Sequence, residues 1–212
     1  RMEGIWRAKG EVVICLDSHV ETTPGWLEPL LWRITEDRTR VVVPSIDGID
    51  AEDFRYEVYG LGLVSFNWLL NQKPRERPEG EDTMAPSSVL CGGLFAVDRS
   101  WFLHLGGYDP ELQIYGGEEM EIGFSAWQCG GSVVHEPCSH VGHLWRSQRY
   151  WSDQVYEIDV NEVLRNRLRV AEVWMDEYKT LVHLASPGLL DGRSVGDVRA
   201  RKALREKLGC KS

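Results

Sequence analysis

Residues 11–19 read EVVICLDSH, and the order of chemistry along them decides the fold. Val12, Val13, Ile14, Cys15 and Leu16 form a short unbroken apolar run rich in β-branched side chains, which predicts a buried strand of an α/β sheet. Asp17, Ser18 and His19 follow at its carboxyl end, where open α/β sheets place their ligands. Pro24 and Gly25 mark a turn, after which Trp26, Leu27, Leu30, Leu31 and Ile34 recur at helical spacing with Glu28 in the first turn, so a crossover helix follows the strand.

Further along, RVVVPSI (40–46) reads as the next strand, and residues 72–86, dense in Pro, Glu, Arg and Gly, read as a surface loop. Residues 87–97 are apolar around Gly92-Gly93, the pattern of a strand whose backbone is closely approached. Ser100 is the expected cap of a short helix. A second helix is expected over 118–128, with Met120, Phe124 and Trp127 on one face, Gly130-Gly131 ending it, and Glu119 and Glu121 as part of a solvated acidic first turn. A brief strand, 132–134, leads into CSHVGH (138–143), and from Val160 the pattern is mostly helical. In the last helix Asp197 is the expected N-cap, Ala203, Leu204 and Leu208 make the apolar stripe, and Gly209 is the stop. No internal repeat and no separate second domain is visible.

Composition sets the bounds. In 212 residues, 42% are hydrophobic and 27% charged, enough to build a core. A formal net charge of −9 without clustered Lys and Arg excludes a nucleic-acid surface, so an anionic ligand would be met by a metal or a few local basic groups. No apolar stretch is long enough to span a bilayer. The five cysteines, Cys15, Cys91, Cys129, Cys138 and Cys210, lack CxxC spacing, leaving disulfides and free buried thiols both open, with a free thiol the better reading for Cys15.

Asp17 and His19 alternate along an extended segment, so both can reach one cation with a carboxylate oxygen and an imidazole nitrogen, a mixture that suits Mn²⁺; a capping or turn role is the competing reading. The surrounding blocks carry a resemblance. LDSH with TPGWLEPLL, CGGLFAVDRSWF, YDPELQIYGGEEMEIGFSAWQCGG, CSHVGHLWR and AEVWMDEYK resemble, in order and spacing, the signatures of the polypeptide N-acetylgalactosaminyltransferases, across residues 8–46, 87–146 and 169–210.

The resemblance implies the C-terminal part of a glycosyltransferase A-type α/β fold, a mixed sheet flanked by helices. It implies retaining, Mn²⁺-dependent transfer of N-acetylgalactosamine from UDP to Ser or Thr hydroxyls of polypeptides. Carried over by residue, it makes Asp17, His19 and His143 the Mn²⁺ ligands and Arg146 a contact to the diphosphate, where a guanidinium is well shaped for bidentate binding. Gly92 and Gly93 would lie beside the sugar with Tyr115, Gly116, Gly117 and Glu118. Glu118 would orient substrates rather than act as the nucleophile of a retaining glycosidase. Cys129 and Cys210 match a disulfide pair, and Cys138 matches a cysteine whose partner lies in the family's first half.

It further implies that residues 1–212 are a partial catalytic domain, with the uracil- and ribose-binding half and any lectin domain outside them. An upstream single-pass membrane anchor and a lumenal Golgi setting complete the expectation. Tyr115 and Glu119 stand where the family has Trp and Asn, and residues 147–160, SQRYWSDQVYEIDV, depart from the family's catalytic loop, in which Tyr150 or Trp151 are candidates for its aromatic contacts. These departures keep two alternatives open: a galactosyltransferase-like enzyme with another UDP-sugar, and a catalytically inactive relative that acts by binding.

Overall fold

The computed structural model describes residues 1–76, 83–145, 159–187 and 194–211. The apolar run forms β1 (Val12–Cys15), preceded by helix α1 (Met2–Arg7). A short β2 (Val20–Thr22), which alternation in the sequence did not announce, precedes α2 (Leu27–Glu36). The next strand, β3 (Arg40–Ile49), runs three residues beyond the apolar pattern, because Asp47 is buried there with its carboxylate fully engaged by neighbours.

Next come β4 (Tyr56–Leu61), β5 (Val64–Phe66), β6 (Gln72–Pro74), β7 (Ala85–Pro86) and β8 (Phe95–Asp98), followed by α3 (Arg99–His104) and α4 (Glu118–Gln128). β9 (Ser132–Leu144), α5 (Val160–Trp174), α6 (Lys179–Ala185) and α7 (Arg199–Lys207) complete the chain. The main sheet has seven strands, with the path β1-β8-β3-β9-β2 and with β4 on β3 and β7 on β9; β5 and β6 pair separately. The sheet is mixed, as expected. β3 and β9 are parallel, whereas β1–β8, β3–β8 and β2–β9 are antiparallel.

Period-2 alternation divides the core between the two faces of this sheet. Val42, Ala96 and Val134 pack with Leu30 and Ile34 of α2 on one side. Val41, Val43, Phe95, Val97 and Val133 belong to the larger cluster on the other, with Met120 of α4 and Leu168 and Trp174 of α5. Burying side chains of this size contributes about 1.5–3 kcal/mol each before entropy is counted, so both helical layers are held by apolar packing.

Several expectations are corrected. Residues 87–97 are a strand only from Phe95; Gly92 takes a positive φ of 59°, which breaks the extended run before it. The helix after it is capped by Asp98, whose carboxylate accepts the Trp101 amide, while the Ser100 hydroxyl donates to the same carboxylate. Within 72–86, the loop reading gives way to β6 and β7 at its two ends, and residues 77–82 lie outside the described ones. The brief strand 132–134 is the start of the thirteen-residue β9. Asp197 accepts the Arg199 amide, but the cap position itself is Val198, and Ala203 faces outward. Glu121 is 1% exposed and paired with Arg201, not solvated.

Candidate functional site

The chain leaves β1 at one end of the strand path and enters β2 at the other, and Asp17 and His19 lie on that short crossing. β2 pairs with β9 so that Val20 faces His143, and the Leu144 amide donates to the His19 carbonyl at 3.0 Å. Sheet register therefore delivers His143 to the Asp-x-His segment. One ligand atom from each of Asp17, His19 and His143 lies within 4.8 Å of the other two. Asp17 Oδ2 is 3.7 Å from His143 Nε2, and the two imidazoles meet edge-on with centroids 4.5 Å apart.

A carboxylate and two imidazoles converging in this way fit a divalent transition ion such as Mn²⁺. Burial, and then the neighbouring His19, hold the His143 imidazole below its usual titration range, so it stays in the neutral form that a metal needs. Trp145 also packs against the His143 ring, with centroids 4.2 Å apart.

Gly93 lies next to this cluster. A Cβ built there would collide with the guanidinium of Arg1, which itself donates to Asp17 Oδ1 at 2.5 Å. From Arg1 a cleft of about 830 Å³ opens, walled by Trp6, Tyr108, Tyr115, Glu118 and Asn166, a size that suits a small-molecule ligand. Glu118 is the first residue of α4 and Gly117 its N-cap, at φ 95°. A Cβ at Gly117 would lie 3.2–3.3 Å from the Asn166 backbone, so only glycine allows both this turn and the close approach of α5. Asn166 in turn donates to the backbone carbonyls of Gln113 and Tyr115, fixing the loop ahead of Glu118.

The structure thus brings Asp17, His19, His143 and Gly93 together and sets Tyr115 and Glu118 on the adjoining cleft, with Gly116 and Gly117 behind them. Arg146, Tyr150 and Trp151 lie outside the described residues. Cys129 and Cys210 are joined by a disulfide; Cys15 and Cys91 are buried free thiols, and Cys138 is on the surface.

Pattern reading missed the charges that brace the cleft. Arg201 Nε donates to Glu121 Oε1 at 2.7 Å and its Nη2 to the Gly107 carbonyl at 2.7 Å. Glu121 Oε2 accepts the Asp109 amide, and Asp109 holds Arg169 at 2.8 Å with both partners buried. Burial pushes the Glu121 carboxyl up to about 7 against the pull of Arg201. Burial, then Glu118, pushes Glu119 up to about 7 as well, with Arg167 and Arg1 opposing.

The family profile described as Glycosyl transferase family 2 matches residues 1–106, half of the chain, and the profile described as N-terminal domain of galactosyltransferase matches residues 81–146. Mouse polypeptide N-acetylgalactosaminyltransferase 10 is 46% identical over 220 residues, covering 100% of this chain and 36% of its own length. Human polypeptide N-acetylgalactosaminyltransferase 13 is 42% identical over 222 residues, covering 100% of this chain and 39% of its own. The crystal structure of GalNAc-T7 with UDP, GalNAc and Mn²⁺ superimposes with a TM-score of 0.90 at 36% identity, over 99% of this chain and 41% of that one. The chain belongs to glycosyl transferase family 2, has the glycosyltransferase A-type fold and is homologous to the polypeptide N-acetylgalactosaminyltransferases, of which it spans well under half the length.

Proposed function

We propose that residues 1–212 are the metal- and sugar-binding part of an enzyme that transfers N-acetylgalactosamine from UDP to Ser or Thr hydroxyls of polypeptides. The observation that carries this is the convergence of Asp17, His19 and His143 beside Gly93 and the Glu118 cleft. The homologues' names and the UDP, GalNAc and Mn²⁺ of the GalNAc-T7 structure point the same way. In this reading Asp17, His19 and His143 hold Mn²⁺, which when bound neutralises the diphosphate as the sugar departs. Gly92 and Gly93 leave room for the sugar, and Tyr115 offers a ring at the cleft's rim. Glu118, pinned by the glycine turn at the start of α4, orients the sugar and the acceptor hydroxyl. Arg146 contacts the diphosphate.

We place the reaction in the Golgi lumen, with a membrane anchor outside residues 1–212. The Cys129–Cys210 disulfide suits an oxidising compartment, and no described helix is long and apolar enough to cross a membrane. A second donor is the competing reading, favoured by the galactosyltransferase profile over residues 81–146, by Tyr115 at the cleft and by Glu119 next to Glu118. Incubating the full-length protein with Mn²⁺, a Ser/Thr-rich peptide and either UDP-GalNAc or UDP-galactose separates the readings. Transfer from UDP-GalNAc that is lost in Asp17→Asn and His143→Ala is expected. Transfer from UDP-galactose alone would select the second donor, and no transfer from either would refute both.

A further inference from the structure

We infer that Arg1 is a positioning residue of the metal centre, a latch on the outer oxygen of Asp17. This rests on the proposal that Asp17, His19 and His143 hold Mn²⁺. The two oxygens of Asp17 are differently engaged: Oδ2 faces His143 Nε2 at 3.7 Å, and Oδ1 accepts from Arg1 Nη2 at 2.5 Å. A carboxylate held at one oxygen presents the other in a fixed direction, and outer partners of this kind are what set a ligand's orientation.

The Arg1 guanidinium lies against Gly93, where a Cβ would meet it at 2.2–2.6 Å, and beside Tyr108 on the wall of the same cleft. About a third of its side chain is exposed, and a quarter of that of Asp17, so the pair is partly shielded from water. The absence of a Cβ at Gly93 leaves the space in which this guanidinium is seated. Sequence pattern offers no sign of this, because Arg1 and Asp17 are sixteen residues apart on different elements.

A guanidinium so near a cation site has an opposing effect, since its charge repels the metal. The two effects predict opposite signs. If orientation dominates, loss of Arg1 weakens Mn²⁺ binding by about tenfold or more, the usual range for outer-partner loss; if repulsion dominates, binding tightens.

The test measures Mn²⁺ affinity of the full-length protein by electron paramagnetic resonance, without donor, for wild type, Arg1→Met, Arg1→Lys, Tyr108→Phe and His143→Ala, with a thermal melt of each as the folding control. Weaker binding in Arg1→Met at an unchanged melting temperature, partial recovery in Arg1→Lys and near-wild-type binding in Tyr108→Phe are expected. Unchanged or tighter binding in Arg1→Met, with His143→Ala still abolishing it, would overturn the latch and leave the metal site standing. No binding by the wild type would overturn both.

Discussion

Replacing Arg201 by Met should cost about 3–5 kcal/mol of unfolding free energy near pH 8, because it strands a carboxylate in the core rather than merely removing a contact. The guanidinium is 5% exposed and its partner Glu121 1%. Methionine fills much of the vacated space, so little of the cost is cavity. The Glu121 charge supplies up to about 1.4 kcal/mol of it at pH 8, and the Gly107 carbonyl and the Glu121 oxygen left without their Arg201 donors supply the rest at about 1–3 kcal/mol each. Glu121 can relieve the strain by protonating, and burial has already pushed it up to about 7. Its folded form therefore keeps a proton that the unfolded chain releases from about pH 4.5 upward, so its contribution to stability falls as pH rises through that window. Without Arg201 the folded value climbs further, and the decline continues above pH 7 at up to about 1.4 kcal/mol per pH unit. The gap between wild type and Arg201→Met should accordingly be smallest near pH 5 and widest near pH 8. Urea unfolding of the full-length protein at three pH values measures it, and Arg201→Met combined with Glu121→Gln should abolish the decline above pH 7. A gap below about 1 kcal/mol at pH 8, or one that does not change with pH, would refute the argument.

Three further outcomes are expected. Gly117→Ala forces a side chain into a φ of 95° and within 3.2–3.3 Å of the Asn166 backbone; it should destabilise by about 1–3 kcal/mol in urea and lower activity by shifting Glu118. Cys210→Ser opens a bridge that closes 81 residues, and thermal unfolding should show a loss of up to about 4–5 kcal/mol on the chain-entropy account. Glu119→Asn removes an acid whose raised folded value makes stability fall from about pH 4.5 to 7. Melting temperatures measured from pH 5 to 8 should decline less steeply in this variant than in wild type, and parallel curves would show that Glu119 titrates normally.

The sheet and its helices were legible where one segment carried its own signal. EVVIC announces β1 by its apolar run, and 118–128 announces α4 by glycine breaks on both sides and helical spacing within. Strand ends were less visible, since β3 and β9 continue through polar residues whose partners come from other strands: Asp47 is bonded by Tyr56 and His140, and His135 by Ser45. The Ser100 cap failed for a related reason. Asp98 is two residues earlier and its carboxylate is the stronger acceptor, so it takes the Trp101 amide and leaves Ser100 to donate to it.

The candidate site divides along the same line. Asp17 and His19 stand out because both lie on one strand tip, whereas His143 joins them only through the β2–β9 register. Glu121 shows the limit most clearly. An acid in the first turn of a helix looks the same whether water or a partner balances it, and here the partner is Arg201, 80 residues away. The pair also determines what α7 is for. Arg201 reaches the 105–107 turn and Glu121 together, and the Cys129–Cys210 disulfide fixes the far ends of α4 and α7. The helix that presents Glu118 is thus braced at both ends by the chain's last helix, so changes remote from the cleft should alter how firmly Glu118 is held without touching any ligand.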